Sequence, residues 1–194
     1  MAVKAAANGF ASLRKADMRL LPHPRPFTGL SHSPRPVQAA AMPSPADERA
    51  WLEQARSLQR ATLDGHAPLL LRGKNLGLLC DDDTRPAAVL FRASASALGA
   101  HVAHIGLDLG ERSPAQEVAR TAQLLGRLYD AIECQGLART LVGQIAEQSG
   151  IPVYDGMALD AAQLTRLALL LGPESALADN RRLALQALLL HSMP

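Results

Sequence analysis

Apolar side chains between residues 44 and 190 recur with helical and extended periods in alternation. From Ser44 the spacing of Trp51, Leu52, Ala55 and Leu58 behind an acidic first turn predicts a helix over SPADERAWLEQARSLQRA. Four short apolar runs after it predict strands, and the segments between and beyond them predict helices. The predicted strands span residues 76–80, 101–107, 129–134 and 151–156, and the predicted helices 85–98, 114–128, 137–148, 160–171 and 178–190.

Strands that alternate with helices at this spacing are typical of an α/β fold. We predict an open parallel sheet of about four strands with right-handed crossovers and helices on both faces. Ligands of such sheets bind outside the carboxyl ends of the strands. The pattern therefore selects four loops as candidate sites, at residues 81–86, 108–113, 135–136 and 155–160.

The first part of the chain has a different composition. Residues 1–42 contain six basic residues and one acidic residue, and seven of the 13 prolines lie between Pro22 and Pro45. Since proline removes backbone donors and interrupts helices, we predict a disordered, Pro-rich basic tail over residues 1–43. An organelle transit peptide, or a translation start at Met18 or Met42, are alternative interpretations. An α/β domain over residues 44–163 and a C-terminal helical segment over residues 164–194 complete the predicted organisation.

Composition and charge limit the classes of partner and cofactor that the chain is expected to bind. A net charge of +2 gives no electrostatic reason to expect nucleic acid, and no apolar run approaches the roughly 20 residues that span a bilayer. The chain has no glycine-rich nucleotide motif, so we expect no cofactor. Cys80 and Cys134 match no zinc spacing and form no disulfide framework, which favours a reducing, cytoplasmic environment.

Four segments carry a family resemblance: LLRGKNLGLLC, AVLFRASASALGAHVAHIGL, RTAQLLGRLYDAIECQG and SGIPVYDGM. Together they resemble the carbamoyl-phosphate-binding half of aspartate and ornithine carbamoyltransferases, most of all the ornithine enzymes. The resemblance covers residues 44–163. It implies carbamoyl transfer from carbamoyl phosphate to an amino acid, as in arginine biosynthesis, and an oligomer of similar subunits.

The resemblance also implies a phosphate site, from which this chain departs. The family carries S-T-R-T-R after the first strand, where this chain has Thr84 and Arg85, then Pro86, and at least one family arginine is replaced by an apolar residue. Gln135 stands in place of a later family arginine, and of H-P-T-Q only Gln163 remains. Each lost charge-assisted hydrogen bond costs about 1.5–3 kcal/mol. We therefore take Thr84, Arg85, Gln135 and Gln163 as a degenerate site, expect carbamoyl-phosphate binding to be weak or lost, and assign no catalytic residue and no metal ligand.

Two further features leave alternatives open. About 30 residues follow Gln163, and the final HSMP matches the family's H-C-L-P at two of four positions, either as a remnant of the amino-acid-binding domain or by coincidence. We therefore expect a catalytically impaired carbamoyltransferase relative. The alternative is a non-catalytic partner or modulator, in a homo-oligomer or with an active carbamoyltransferase. The DDD run at residues 81–83 is interpreted as a solvated helix start, and a Mg²⁺ site is the less favoured possibility.

Overall fold

The computed structural model describes residues 38–39, 45–106, 109–110, 112–158 and 161–193. Within these ranges five strands and six helices alternate, and the predicted α/β class is confirmed. None of the described helices combines the length and the apolar composition that crossing a membrane requires. The elements are β1 (Gln38–Ala39), α1 (Pro45–Leu63), β2 (Asn75–Leu79), α2 (Pro86–Ala97), β3 (His101–Ile105), α3 (Ala115–Leu128), β4 (Ala131–Cys134), α4 (Arg139–Ser149), β5 (Val153–Asp155), α5 (Ala161–Leu170) and α6 (Leu177–Ser192).

All five strands are parallel, in the order β3-β2-β4-β5-β1. β2 is central: Leu78 lies opposite His104 of β3 on one side and opposite Glu133 of β4 on the other. The chain leaves β2 toward β3, then returns across the sheet to β4 and continues outward to β5. The carboxyl ends of β2 and β4 therefore form the crevice at which open α/β sheets bind ligands.

The edge strand β1 differs from the prediction. Gln38 pairs with Tyr154 and Ala39 with Asp155, so that a two-residue strand from inside the predicted tail adds to the predicted sheet of about four strands. The remainder of residues 1–43 lies outside the described part of the chain. Short tail strands of this kind carry no apolar alternation, because two residues are too few to show a period.

Two hydrophobic clusters lie on opposite faces of the sheet. Leu76 and Leu78 of β2 belong to the cluster covered by α1, α2, α5 and α6, whereas Leu79 belongs to the cluster covered by α3 and α4. In β5, Val153 and Tyr154 are divided between the clusters in the same way. Successive residues of a strand point to opposite faces, so both faces are buried by helices, as predicted.

The crossing of α3 and α4 depends on a glycine. A Cβ atom at Gly126 would overlap the backbone carbonyl oxygen of Ser149, which ends α4. Gly150 then terminates α4 in the left-handed conformation, with φ 71°. These two glycines let α4 lie close against α3 and direct the chain back into β5.

Candidate functional site

A cleft of about 440 Å³ opens near the carboxyl edge of the sheet. Three elements form its walls: the start of α2, the loop after β5 and the beginning of α6. Its lining is apolar apart from two arginines. The lining residues are Arg85, Pro86, Ala87, Leu90, Ala158, Ala178 and Arg181.

Arg85 belongs to the turn that follows β2, and its side chain extends toward the turn that follows β4. It is the N-cap residue of α2, its side chain is 61% exposed, and its Nε is 3.9 Å from Oδ2 of Asp82. A Cβ atom at Gly136, which has φ 77°, would lie 4.0 Å from Nη1 of Arg85. The guanidinium of Arg85 thus lies at the crevice between the carboxyl ends of β2 and β4.

Arg181 is the cation that sequence reasoning missed. It follows the first turn of α6 and is partly buried, and its Nε is buried without a hydrogen-bond partner among the described residues. The neighbouring Arg182, by contrast, pairs with Asp179 at 3.0 Å. The available signal was a pair of arginines near a helix start, where the helix dipole disfavours cations.

The start of α6 is positioned by a buried asparagine. Nδ2 of Asn180 donates to the carbonyl oxygens of Gly172 at 2.8 Å and of Ala168 at 3.2 Å. Its Oδ1 accepts from Nε2 of Gln59 in α1 at 3.0 Å. Because Asn180 joins α1, α5 and α6, the adjacent Arg181 is carried by a fixed helix end.

Thr84 is close to the cleft but its polar groups are engaged by Asp82. The backbone N–H and the hydroxyl of Thr84 donate to Oδ1 of Asp82 at 2.9 and 2.6 Å. The Thr84 hydroxyl, followed by the Thr84 N–H, lowers the pKa of Asp82. Asp82 therefore remains a carboxylate, and the donors of Thr84 are taken up within the turn.

The same turn is fastened to α2 through Asp83. Nη1 of Arg92 is 2.8 Å from Oδ2 of Asp83, and Nη2 donates to the Asp83 carbonyl oxygen at 2.8 Å. Arg92 lies two helical turns into α2, so the ion pair links the turn after β2 to the body of the helix. Asp83 does not cap α2, whose N-cap residue makes no side-chain cap bond.

Gln135 is buried directly after β4, and its side-chain amide is hydrogen-bonded to a neighbouring carboxyl group. Nε2 of Gln135 donates to Oε1 of Glu133 at 3.1 Å. Glu133 is itself fully buried, and it accepts further bonds from the backbone N–H groups of Met157 and Ala158, both at 3.3 Å. Burial raises the pKa of Glu133 to about 8. The network fastens the loop after β5 and thereby places Ala158 in the wall of the cleft.

Of the four residues predicted for the site, Arg85 alone is among those that line the cleft in the described part of the chain. Thr84 adjoins it, and Gln135 lies at the end of β4. Gln163 lies in the first turn of α5, outside the lining. The loop at residues 108–113 falls partly outside the described residues.

Cys80 and Cys134 are buried free thiols, one in each hydrophobic cluster, and burial raises the pKa of both. The described residues, the acidic run at 81–83 included, contain no group of three or more His, Cys, Asp or Glu side chains placed to hold a metal ion.

Comparison with known proteins identifies relatives, although no family model matches the chain. Over 114 residues the chain is 36% identical to a catabolic ornithine carbamoyltransferase of Mycoplasma capricolum subsp. capripneumoniae. The matched segment covers 59% of this chain and 36% of the relative. An ornithine carbamoyltransferase of Actinobacillus pleuropneumoniae is 34% identical over 106 residues, covering 55% of this chain and 32% of the relative. The matched segment thus spans about a third of the length of these relatives.

Solved structures show the same fold. The mitochondrial ornithine carbamoyltransferase of Coccidioides immitis superposes with a TM-score of 0.59 at 14% identity, over 75% of this chain and 48% of that one. Aspartate transcarbamoylase from Trypanosoma cruzi, in complex with N-(phosphonacetyl)-L-aspartic acid, superposes with a TM-score of 0.56 at 20% identity, over 72% and 46%. At these identities the likeness is one of fold.

Proposed function

We propose, from the premise that this chain is a relative of the ornithine and aspartate carbamoyltransferases, that its cleft binds a small phosphorylated anion of the carbamoyl phosphate type. The kinship in sequence extends over 59% of the chain. The proposal concerns binding at the carboxyl edge of the sheet. Binding is distinct from carbamoyl transfer. We propose that transfer is impaired when this chain acts without a partner.

The observation that carries the proposal is a pair of arginines that line one cleft. Arg85 and Arg181 approach from α2 and α6, which are far apart in sequence. An arginine presents a planar fork of donors that matches phosphate oxygens, and a buried Nε without a partner is costly unless a ligand accepts from it. The N–H groups of Ala87 and Ala88, in the first turn of α2, have no intrahelical partner and add to the positive potential.

Other features of the cleft keep binding weak. Pro86 supplies no N–H at the first position of α2, and Asp82 places a carboxylate beside Arg85. Two charge-assisted contacts that are partly offset by this repulsion correspond to a dissociation constant of about 1 mM.

The remaining lining explains why we propose impaired transfer. Apart from its two arginines, the described lining consists of Pro86, Leu90 and alanines. Carbamoyl transfer needs donors directed at the developing oxyanion and a second substrate held in position. Apolar side chains supply neither function, so a bound acyl phosphate has no group in this lining that orients an amine toward it.

Calorimetric titration with freshly prepared carbamoyl phosphate tests the binding proposal. We expect a dissociation constant of about 1 mM for the natural chain and at least about tenfold weaker binding by Arg181→Gln. Arg182→Gln is the matched control, because it removes the same charge one residue away from the cleft lining. Equal affinities of the two variants, or no heat of binding for the natural chain at about ten times that concentration, would contradict the proposal.

A citrulline assay with carbamoyl phosphate and ornithine tests the proposed impairment of carbamoyl transfer. We expect product at the rate of the uncatalysed control. Turnover of about 1 per second or faster, in the range of ordinary enzymes, would refute the proposed impairment.

A second candidate function is that of a non-catalytic partner in an oligomer of carbamoyltransferase-type subunits. Leu124 and Leu128 lie one turn apart on α3 and are each 55% exposed, and within the described strands β3 pairs with β2 alone. Light scattering of the chain, alone and mixed with an active carbamoyltransferase, measures association. Leu124→Glu is expected to abolish it, whereas Glu147→Gln on the neighbouring helix α4 serves as the control. A monomer under both conditions would exclude this candidate.

A further inference from the structure

We propose that the cleft selects phosphate or phosphonate anions whose organic substituent is apolar and compact, such as a short alkyl chain, over those whose substituent carries N–H or O–H groups. The inference rests on the proposed function of the cleft, because it takes the anionic end of the ligand to be bound by Arg85 and Arg181. It adds the chemical class of the other end of the ligand, which anion binding alone leaves undetermined.

The side chains that line the cleft can donate hydrogen bonds but cannot accept them. Arg85 and Arg181 carry guanidinium donors, and the other described lining residues are one proline, one leucine and three alanines. An anionic group suits the arginines, since it accepts from them. An amino or hydroxyl substituent of the ligand, by contrast, loses water on entry and finds no side-chain acceptor in this lining, which is unfavourable.

The apolar part of the lining is also fixed in position. The N–H of Ala158 donates to Oε1 of Glu133 at 3.3 Å, so this backbone donor is engaged. Ala158 is buried, and Leu90 packs against the hydrophobic cluster that α2 helps to cover. The wall formed by α2 and the loop after β5 is therefore an ordered apolar surface, which an alkyl group can contact without losing hydrogen bonds.

The cleft has room for such a substituent. Its volume of about 440 Å³ lies within the range of about 300–1,000 Å³ that is typical of small-molecule sites, and a phosphate group fills only a small part of it. A methylene group that is fully buried against an apolar wall strengthens binding by about fourfold. Affinity is therefore expected to rise with the length of the alkyl chain.

Calorimetric titration of the full chain with n-alkylphosphonates, from methylphosphonate to pentylphosphonate, tests the inference. These ligands share one anionic group and differ only in methylene groups. Because the cleft is open, we expect each methylene to tighten binding about twofold, so that pentylphosphonate binds at least about tenfold more tightly than methylphosphonate. 4-Hydroxybutylphosphonate has as many non-hydrogen atoms as pentylphosphonate, and it should bind at least about fivefold more weakly.

Variants locate the apolar contact. Leu90→Gln places an amide in the lining and is expected to reduce the gain per methylene markedly. Val89→Gln, at the adjacent exposed position outside the lining, should leave the gain unchanged. Arg181→Gln should weaken all members of the series alike, since it acts on the shared anionic group. Circular dichroism verifies folding, and Ala178→Gln, at an exposed position of the lining, replaces Leu90→Gln if the latter is unfolded.

The outcomes distinguish this inference from the proposed function. If affinity is independent of alkyl length or of the terminal hydroxyl, or if the two glutamine variants of α2 behave alike, the apolar selection is refuted although anion binding stands. If the longer phosphonates bind with the expected gain and carbamoyl phosphate does not bind, the selection is supported and the proposed binding of carbamoyl phosphate is not. Pentanol binding as tight as that of pentylphosphonate, or no binding of any phosphonate up to about 50 mM, overturns both.

Discussion

Two carboxylates near neighbouring strand ends, Asp82 after β2 and Glu133 in β4, accept similar sets of hydrogen bonds in opposite surroundings. Asp82 accepts two bonds from Thr84 in an exposed turn. Glu133 accepts three, from Gln135, Met157 and Ala158, and is fully buried. The pKa of Asp82 is lowered, whereas that of Glu133 is raised to about 8.

The difference shows that solvation outweighs hydrogen-bond number at these two positions. For Glu133, burial raises the pKa more than its three donors lower it, and Asp155 raises it further. For Asp82, the hydrogen bonds from Thr84 act without a comparable loss of water. Asp82 is therefore a charged group in an exposed turn, and Glu133 is a largely neutral group that fastens the loop after β5 at neutral pH.

The largest expected effect is a dependence of stability on pH that comes from Glu133. Its pKa in the folded state, about 8, lies above the ordinary value of 4.5, so the folded chain binds the extra proton between these limits. The contribution is fully present below about pH 4.5 and is lost as the pH rises through about 8, with a slope of up to about 1.4 kcal/mol per pH unit. Urea denaturation at intervals from pH 5 to pH 9 measures it.

Glu133→Gln is the control for this pH dependence, because glutamine imitates the neutral carboxyl and does not titrate. The difference in slope between the natural chain and Glu133→Gln isolates the contribution of Glu133 from that of other groups. If the free energy of unfolding depended on pH equally in the two proteins, Glu133 would be charged in the folded state.

The next largest effect is expected from truncating the buried carboxyl. Glu133→Ala leaves the amide of Gln135 and the N–H groups of Met157 and Ala158 without an acceptor, and each buried orphan costs about 1–3 kcal/mol. We expect a loss of at least about 3 kcal/mol in the free energy of unfolding at pH 7. Asp82→Ala, measured in parallel, is expected to change it little, since water replaces the lost partner. Similar losses of unfolding free energy for the two variants would contradict the contrast between the buried Glu133 and the exposed Asp82.

The order of the elements was predictable because each is long enough to show its period. The sequence predicted helices at 85–98 and 114–128, which the structure places at Pro86–Ala97 and Ala115–Leu128. Pro86 and Pro114 mark the two starts, and Gly99 follows the end of the first helix. The carboxyl-edge rule then directed attention to the turn containing Arg85, which does line the cleft.

What the sequence did not reveal depends on contacts between distant segments. Arg181 lines the same cleft as Arg85, and the helix that carries it, α6, is fastened to α1 and α5 by Asn180, a relation without a local sequence pattern. Likewise, nothing in the sequence indicates that the amide of Gln135, a predicted phosphate contact, donates to Glu133. The sequence therefore indicates the edge of the sheet near which the cleft opens, but not that Arg181 of α6 lines it.

A smaller effect is expected from the ion pair that anchors the turn after β2. Arg92 is 40% exposed, so Arg92→Ala should cost only about 0.5–1 kcal/mol. The local effect should be larger: faster amide hydrogen exchange at residues 81–85, because both bonds to Asp83 are lost. Arg92→Lys keeps the charge but not the two-pronged geometry, and intermediate exchange is expected. Unchanged exchange in both variants would show that Arg92 does not order the turn.

The smallest effect is expected from Asp82 in acid, and its sign is opposite to that of Glu133. The pKa of Asp82 in the folded state lies below the ordinary value of 3.8, so its contribution to stability is present above that value and is lost as the pH falls through the folded pKa. The difference in thermal midpoint between the natural chain and Asp82→Asn should therefore be small and favourable at pH 6 and should shrink as the pH falls below 3.8. Asp81→Asn serves as the comparison. A difference that grows toward low pH would mean that the bonds from Thr84 do not favour the charged carboxylate, and that Asp82 is not the anion held by its turn.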